Sequence, residues 1–79
     1  MMTDYTPIDC GLYSEYEQAI LHRKRLRILW QEPDGEAHLE LLEPKDLKTR
    51  NHEEFLIAEN MKGQRLELRL DHIRKAEAV

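Results

Sequence analysis

Apolar residues in this chain change their spacing once, near Lys24. Before that point Leu12, Tyr16, Ala19 and Ile20 recur at i, i+4, i+7 and i+8. That is the stripe of an amphipathic helix, so "SEYEQAILHR" is predicted helical. Ser14 and Glu17 have capping-box spacing, while Asp9 offers a cap for an earlier start. The opposite side of the helix carries Tyr13, Glu17 and Leu21. After Lys24 the period becomes two. In "RLRILWQE", Leu26, Ile28 and Trp30 share one face and Arg27, Leu29 and Gln31 the other.

Turn chemistry divides the rest of the chain. In "EPDGE", Pro33 suits the second position of a type I turn and Gly35 the left-handed residue that restarts pairing. "EAHLELLE" is predicted as the returning strand, with Leu39 and Leu41 on one face and Pro44 ending it. "PKDL" reads as a tight bend that buries Leu47, and "KTRNHE" as a polar exposed loop. "EFLIAE" is predicted as a third strand, with Phe55 and Ile57 alternating against Leu56 and Ala58. "NMKG" repeats the earlier turn logic with Gly63. "QRLELRLD" is the clearest strand: Leu66, Leu68 and Leu70 point one way, and Arg65, Glu67, Arg69 and Asp71 point to water. "HIR" starts a short last strand or a turn that buries Ile73. The predicted fold class is α+β and mainly β. An N-terminal helix caps a small, strongly bent antiparallel sheet of four or five strands, curled into a partly open SH3-like or Sm-like barrel that limits exposed edges.

Composition narrows the possibilities. The 79 residues suit one domain over 1–79, near the lower size limit for a single core. A single cysteine excludes an internal disulfide. The N-terminus has Asp4 and Pro7 where a secretion signal needs basic and apolar runs, and no apolar stretch has the length of a membrane span. A cytoplasmic location is the expectation. Sixteen acids against twelve basic groups give a net charge of −4. General nucleic-acid binding is disfavoured by that balance, whereas a basic partner fits it.

Catalytic chemistry finds little footing. His22, His38, His52 and His72 fall on a helix end, a strand, a loop and a turn, with no short spacing that builds a metal site. Cys10 has no histidine near it in sequence and reads as a small buried thiol. The three glycines are isolated, so no phosphate loop is present. No enzyme activity, cofactor or metal is predicted. The run "HRKRLR" crosses from helix end to strand, so its cations cannot all face one ligand, and they also oppose the negative end of the helix dipole. Tyr13 has two readings from periodicity: a rigid interface anchor, or a ring lying along the rim of the barrel.

Several short stretches together resemble a known family. "YTPIDC", a tyrosine three residues after the cysteine, "DG" in the first turn, "DL" before a polar loop, and "LELRLDHI" occur in this order from about Tyr5 to Ile73. The chain in this respect is similar to the Rof/YaeO family, the Rho-binding antiterminators of bacteria. The resemblance implies an N-terminal helix before a five-stranded Sm-like barrel. It also implies a monomer that binds transcription termination factor Rho at its primary RNA-binding site, blocks RNA loading and suppresses Rho-dependent termination. The contact surface it implies is the first helix with the loop before the third strand: Tyr13, Ser14, Glu15 and Glu17, then Arg50, Asn51 and His52. Where relatives carry acids after the cysteine and the tyrosine, this chain has Gly11, Leu12 and Ser14. The competing reading is an Sm-like module that binds RNA directly through Arg23, Lys24, Arg25 and Arg27.

Overall fold

The computed structural model describes residues 10–79. The candidate cap Asp9 and the side chain of Cys10, read above as a buried thiol, lie outside the described set. Helix α1 (Cys10–Leu21) is followed by β1 (Leu26–Gln31), β2 (Ala37–Arg50), β3 (Glu53–Asn60) and β4 (Arg65–Arg69). A single 3-10 turn (Leu70–His72) then leads to β5 (Ile73–Ala78). All pairings are antiparallel, in the order β4-β3-β2-β1-β5. The mainly β, helix-first architecture matches the sequence pattern. Closure into a barrel is not shown: β4 and β5 stand at opposite ends of that order and do not pair. Among the described residues no helix is long and apolar enough to cross a membrane.

The helix begins four residues earlier than "SEYEQAILHR" suggests, so Ser14 and Glu17 are interior and form no capping box. Its stripe behaves as predicted: Tyr16 and Ala19 are buried, and Leu12 and Ile20 pack half-buried against them. The C-terminus is a Schellman motif. Lys24 N–H donates to the Ala19 carbonyl and Arg23 N–H to that of Ile20, with Arg23 at φ 53°. That left-handed residue turns the chain into β1.

Strand β2 departs most from expectation. Pro44 does not end it, and "PKDL" is no bend; the strand runs on to Arg50, with one extra residue at Lys45 between the pairs Pro44–Ala58 and Asp46–Ile57. The pairing explains why proline is tolerated. β1 leaves β2 at the pair Leu26–Leu42, so beyond Leu42 only β3 is paired to it. The first half of β2 thus belongs to one hairpin and the second half to another, and Leu42, fully buried, is common to both. The bulge adds local twist at this junction. Leu39 and Leu41 share one face of the strand as predicted, but that face lies outside the core, and Leu39 is 61% exposed. Leu42 and Pro44 take the inner positions instead.

Both glycine turns form as predicted. Glu32 N–H bonds to the Glu36 carbonyl across Pro33–Gly35, and Asn60 N–H to that of Gln64 across Met61–Gly63, with Gly35 and Gly63 at φ 95° and 79°. "KTRNHE" is different. Arg50 pairs with Glu53, leaving only Asn51 and His52 in the turn, both at positive φ (53° and 64°). This is a type I′ hairpin in which His52 occupies a position that glycine adopts without strain. His52→Gly is expected to raise stability by about 0.5–1 kcal/mol, checked by the midpoint of a urea melt.

The core joins the helix stripe to Leu26, Ile28, Trp30, Leu42, Leu56, Ala58, Leu68 and Leu70. One polar atom is enclosed with them. The Tyr16 hydroxyl is buried and has no hydrogen-bond partner among the described residues. Burial, aided by the negative charge of Glu15, pushes its phenol up to about 12. A raised folded-state value means that this contribution to stability is complete below the ordinary tyrosine range near pH 10 and is lost as pH climbs towards about 12. The loss should reach roughly 2–3 kcal/mol there. Tyr16→Phe removes the unpaired hydroxyl, so it is expected to stabilise the fold by about 1 kcal/mol at neutral pH and to flatten the alkaline decline. Urea melts near pH 8 and pH 11 test both effects.

Candidate functional site

The bulge in β2 carries Asp46 and Leu47 to the flank of α1. Together with Tyr13, Glu17, Ile20 and Leu21 they line an open cleft of about 580 Å3. Its chemistry is mixed. Leu47, Ile20 and the Tyr13 ring pack half-buried against the core, while Leu21 stays 72% exposed at the mouth. Carboxylates surround the phenol: partial burial first, then the charges of Glu54, Glu17 and Asp46, all push the Tyr13 hydroxyl above its ordinary value. A negative field therefore lies over an apolar floor. Such a cleft can take a cationic side chain by its charge and its aliphatic stem together.

The structure divides the residues singled out from sequence. Tyr13 and Glu17 share the cleft. Ser14 and Glu15 lie on the other flank of α1, in a separate groove lined also by Ala76 and Ala78 of β5. Arg50 is engaged within the fold: it ion-pairs with Glu67, and its guanidinium lies over the Phe55 ring, 4.8 Å from the centroid. Asn51 and His52 form the hairpin tip and do not line the cleft. Asp46 and Glu54 were not singled out from sequence. Asp46 was hidden because Pro44 seemed to end the strand, and Glu54 because its approach to Tyr13 is a tertiary fact.

The basic segment makes no single patch. Arg23 caps the helix, and Lys24 lines the groove beside β5. Arg25 lines another hollow with Glu43 and Glu59, and together with Arg23 it contributes to holding the Glu43 carboxyl below its ordinary range, after the larger effect of Lys45. Arg27 faces the opposite side of the sheet, beside Glu77. Each cation thus has acids close by or points its own way, which argues against a phosphate-tracking surface.

A further polar cluster sits at the first hairpin. His38 stacks on Trp30 with ring centroids 5.1 Å apart, and its Nε2 lies 3.2 Å from Glu36 Oε1. Trp30 Nε1–H donates to Glu32 Oε1 at 3.2 Å. Among the described residues no group of three or more His, Cys, Asp or Glu side chains is placed to hold a metal ion.

Comparison with known families gives one match. A family model described as "WYL domain" covers residues 11–78. No curated protein and no solved structure matches the chain. The family match overturns the resemblance to the Rof/YaeO antiterminators. The stretches behind that resemblance are short, and several have structural duties here: "DG" builds the first hairpin turn, and "LELRLDHI" supplies an edge strand and its exit. Such features recur wherever small bent sheets are built.

Proposed function

Because the chain belongs to the WYL domain family, we propose that it is a regulatory binding module, without catalysis of its own, that takes a basic segment of a protein partner into the cleft between α1 and β2. The domain type is tied to nucleic-acid-binding regulators, so transcription regulation in the cytoplasm, by a monomer, is the setting we assign to it. The observation that carries this reading is the cleft itself, in which the carboxylates Glu17 and Asp46 stand beside a half-buried Tyr13 over Ile20 and Leu47. The net charge of −4 supports it. So does the scattering of Arg23, Lys24, Arg25 and Arg27, which weighs against the direct RNA reading.

Basic RNA-binding surfaces on proteins are natural occupants, because a cleft of this charge competes with phosphates for the same cations. Rho is the first such protein to test, on charge chemistry alone. Calorimetric titration of purified Rho into the domain should show binding that weakens as salt rises. Tyr13→Ala and Glu17→Lys should each weaken it by roughly 1–3 kcal/mol. Glu17 is exposed, so Glu17→Lys should leave the thermal melt nearly unchanged, whereas Tyr13→Ala removes a ring packed against the core and should lower it. Tight binding of pyrimidine-rich RNA by the isolated domain, with no response to either substitution, would overturn the proposal in favour of direct RNA contact.

A further inference from the structure

Many acids of this fold already have a cation. Lys45 pairs with Glu43, Arg50 with Glu67, Arg69 with Asp71 and Glu53, and Lys75 with Glu77. The two carboxylates that line the cleft between α1 and β2 differ. Among the described residues neither Glu17 nor Asp46 makes an ion pair. Asp46 Oδ1 accepts the Leu47 N–H at 2.8 Å, a bond that orients the carboxylate without neutralising it. Residues 1–9 hold no cationic side chain to offer: they carry Asp4 and Asp9 and no Lys or Arg. A second copy of the chain brings the same net charge of −4 and is repelled. The charge of the cleft therefore favours a cation from a different molecule.

Elsewhere the same fold shows which cation suits a carboxylate beside a ring. The Arg50 guanidinium lies over Phe55, 4.8 Å from the centroid, while pairing with Glu67. Arg69 reaches both oxygens of Asp71 with two N–H groups, each at 2.7 Å. A guanidinium is flat and weakly hydrated, so it can lie on a ring and donate sideways to carboxylates at once. An ammonium is a compact, strongly hydrated point charge and loses more on entering a half-apolar site. The cleft offers the same parts: the Tyr13 ring, two carboxylates, and the aliphatic walls of Ile20 and Leu47. We propose that the partner residue selected here is an arginine, its guanidinium lying against Tyr13 and donating to Glu17 and Asp46, with its stem along Ile20 and Leu47. This rests on the reading of the cleft as a site for a basic segment and adds the identity of the side chain that enters it. Tyr13 is then the residue that sets specificity, and the acids supply attraction to either cation.

The test uses the full chain and three short peptides of glycine and serine, with a central arginine, lysine or citrulline. Amide chemical shifts, followed by NMR as each peptide is added, give affinity and location together. The arginine peptide should shift Tyr13, Glu17 and Leu47 and bind about five- to tenfold more tightly than the lysine peptide. The citrulline peptide, of similar shape but uncharged, should not bind at millimolar concentration. Tyr13→Leu should bring the arginine and lysine affinities together, and Tyr13→Phe, which restores the ring, should restore the preference. The comparison on the unaltered chain needs neither variant to fold. Equal arginine and lysine affinities, both weakened by Glu17→Gln, would overturn the arginine assignment and leave the basic-segment reading standing. A preference that survives Tyr13→Leu would likewise overturn it. Binding of citrulline as tight as arginine, no binding of either cationic peptide, or shifts confined to the groove beside β5 would overturn both.

Discussion

Replacing Arg69 by alanine is expected to destabilise the domain by about 2–4 kcal/mol, a large part of the roughly 4–12 kcal/mol available to a chain of this size. Its guanidinium makes a two-pronged contact with Asp71, Nε to Oδ1 and an Nη to Oδ2, both at 2.7 Å, and reaches Glu53 at 3.0 Å. Side-chain exposure is 14% for Arg69 and 9% for Asp71. Removing the cation leaves a carboxylate shut away from water, and that desolvation penalty dominates the loss. Glu53, 25% exposed, can turn towards solvent, so the figure sits below that for a fully buried triad. The penalty has a signature. Arg69→Met should be nearly as harmful as Arg69→Ala, because it keeps bulk but still takes from Asp71 its two-pronged partner. Combining Arg69→Met with Asp71→Leu should recover most of the stability, since nothing charged is then left enclosed with Leu70. Urea denaturation of the parent, Arg69→Met, Asp71→Leu and the double variant gives the coupling energy. An Arg69→Met variant as stable as the parent would show the pair to be solvated.

Leu56→Ala is expected to be of similar size, about 2–5 kcal/mol. Leu56 is fully buried in the middle of β3 and lies opposite Leu47 on one side and Leu68 on the other. These three leucines run as a row across β2, β3 and β4. Truncating the middle one removes contacts on both sides, and the paired strands restrain collapse into the space. Leu39→Ala provides the contrast. That side chain is 61% exposed, outside the core, and its loss should change stability by no more than about 0.5 kcal/mol. A shared denaturant series on both variants measures the difference directly.

Local features were legible in the sequence wherever one residue type could satisfy the geometry. Gly35 and Gly63 announced their turns, and the spacing of Leu12, Tyr16, Ala19 and Ile20 announced the buried face of α1. The errors arose where the deciding neighbour is distant in sequence. Pro44 forbids a donor only if a strand lies on its N–H side, and nothing in "LLEPKDL" says that β1 has already left. Arg69 and Asp71 alternate with leucines and so looked solvated; Glu53, on another strand, completes their pairing. The candidate surface was the least legible. Tyr13 and Glu17 were found from helical spacing, but the acids that join them come from the bulged part of β2 and from β3. Arg50 looked available until the structure gave it Glu67 and Phe55. The family resemblance failed for a related reason: short matches in turns and an alternating strand carry the demands of the fold, and a match spanning residues 11–78 outweighs them.

The pairing of β5 with β1 has a consequence for how the protein is born. Leu26 meets Ala78, so β1, made before the other strands of this sheet, waits for the residues of β5, made after them. Until these emerge, one side of β1 has no partner, while β2, β3 and β4 can form by successive local hairpins. Joining such remote segments is the slow part of assembling a small sheet, because chain closure precedes any reward from contact. The same topology makes β5 a guard for β1: a polypeptide stopped before Ile73 would present "LRILW" as an uncovered apolar edge, open to pairing with its own copies.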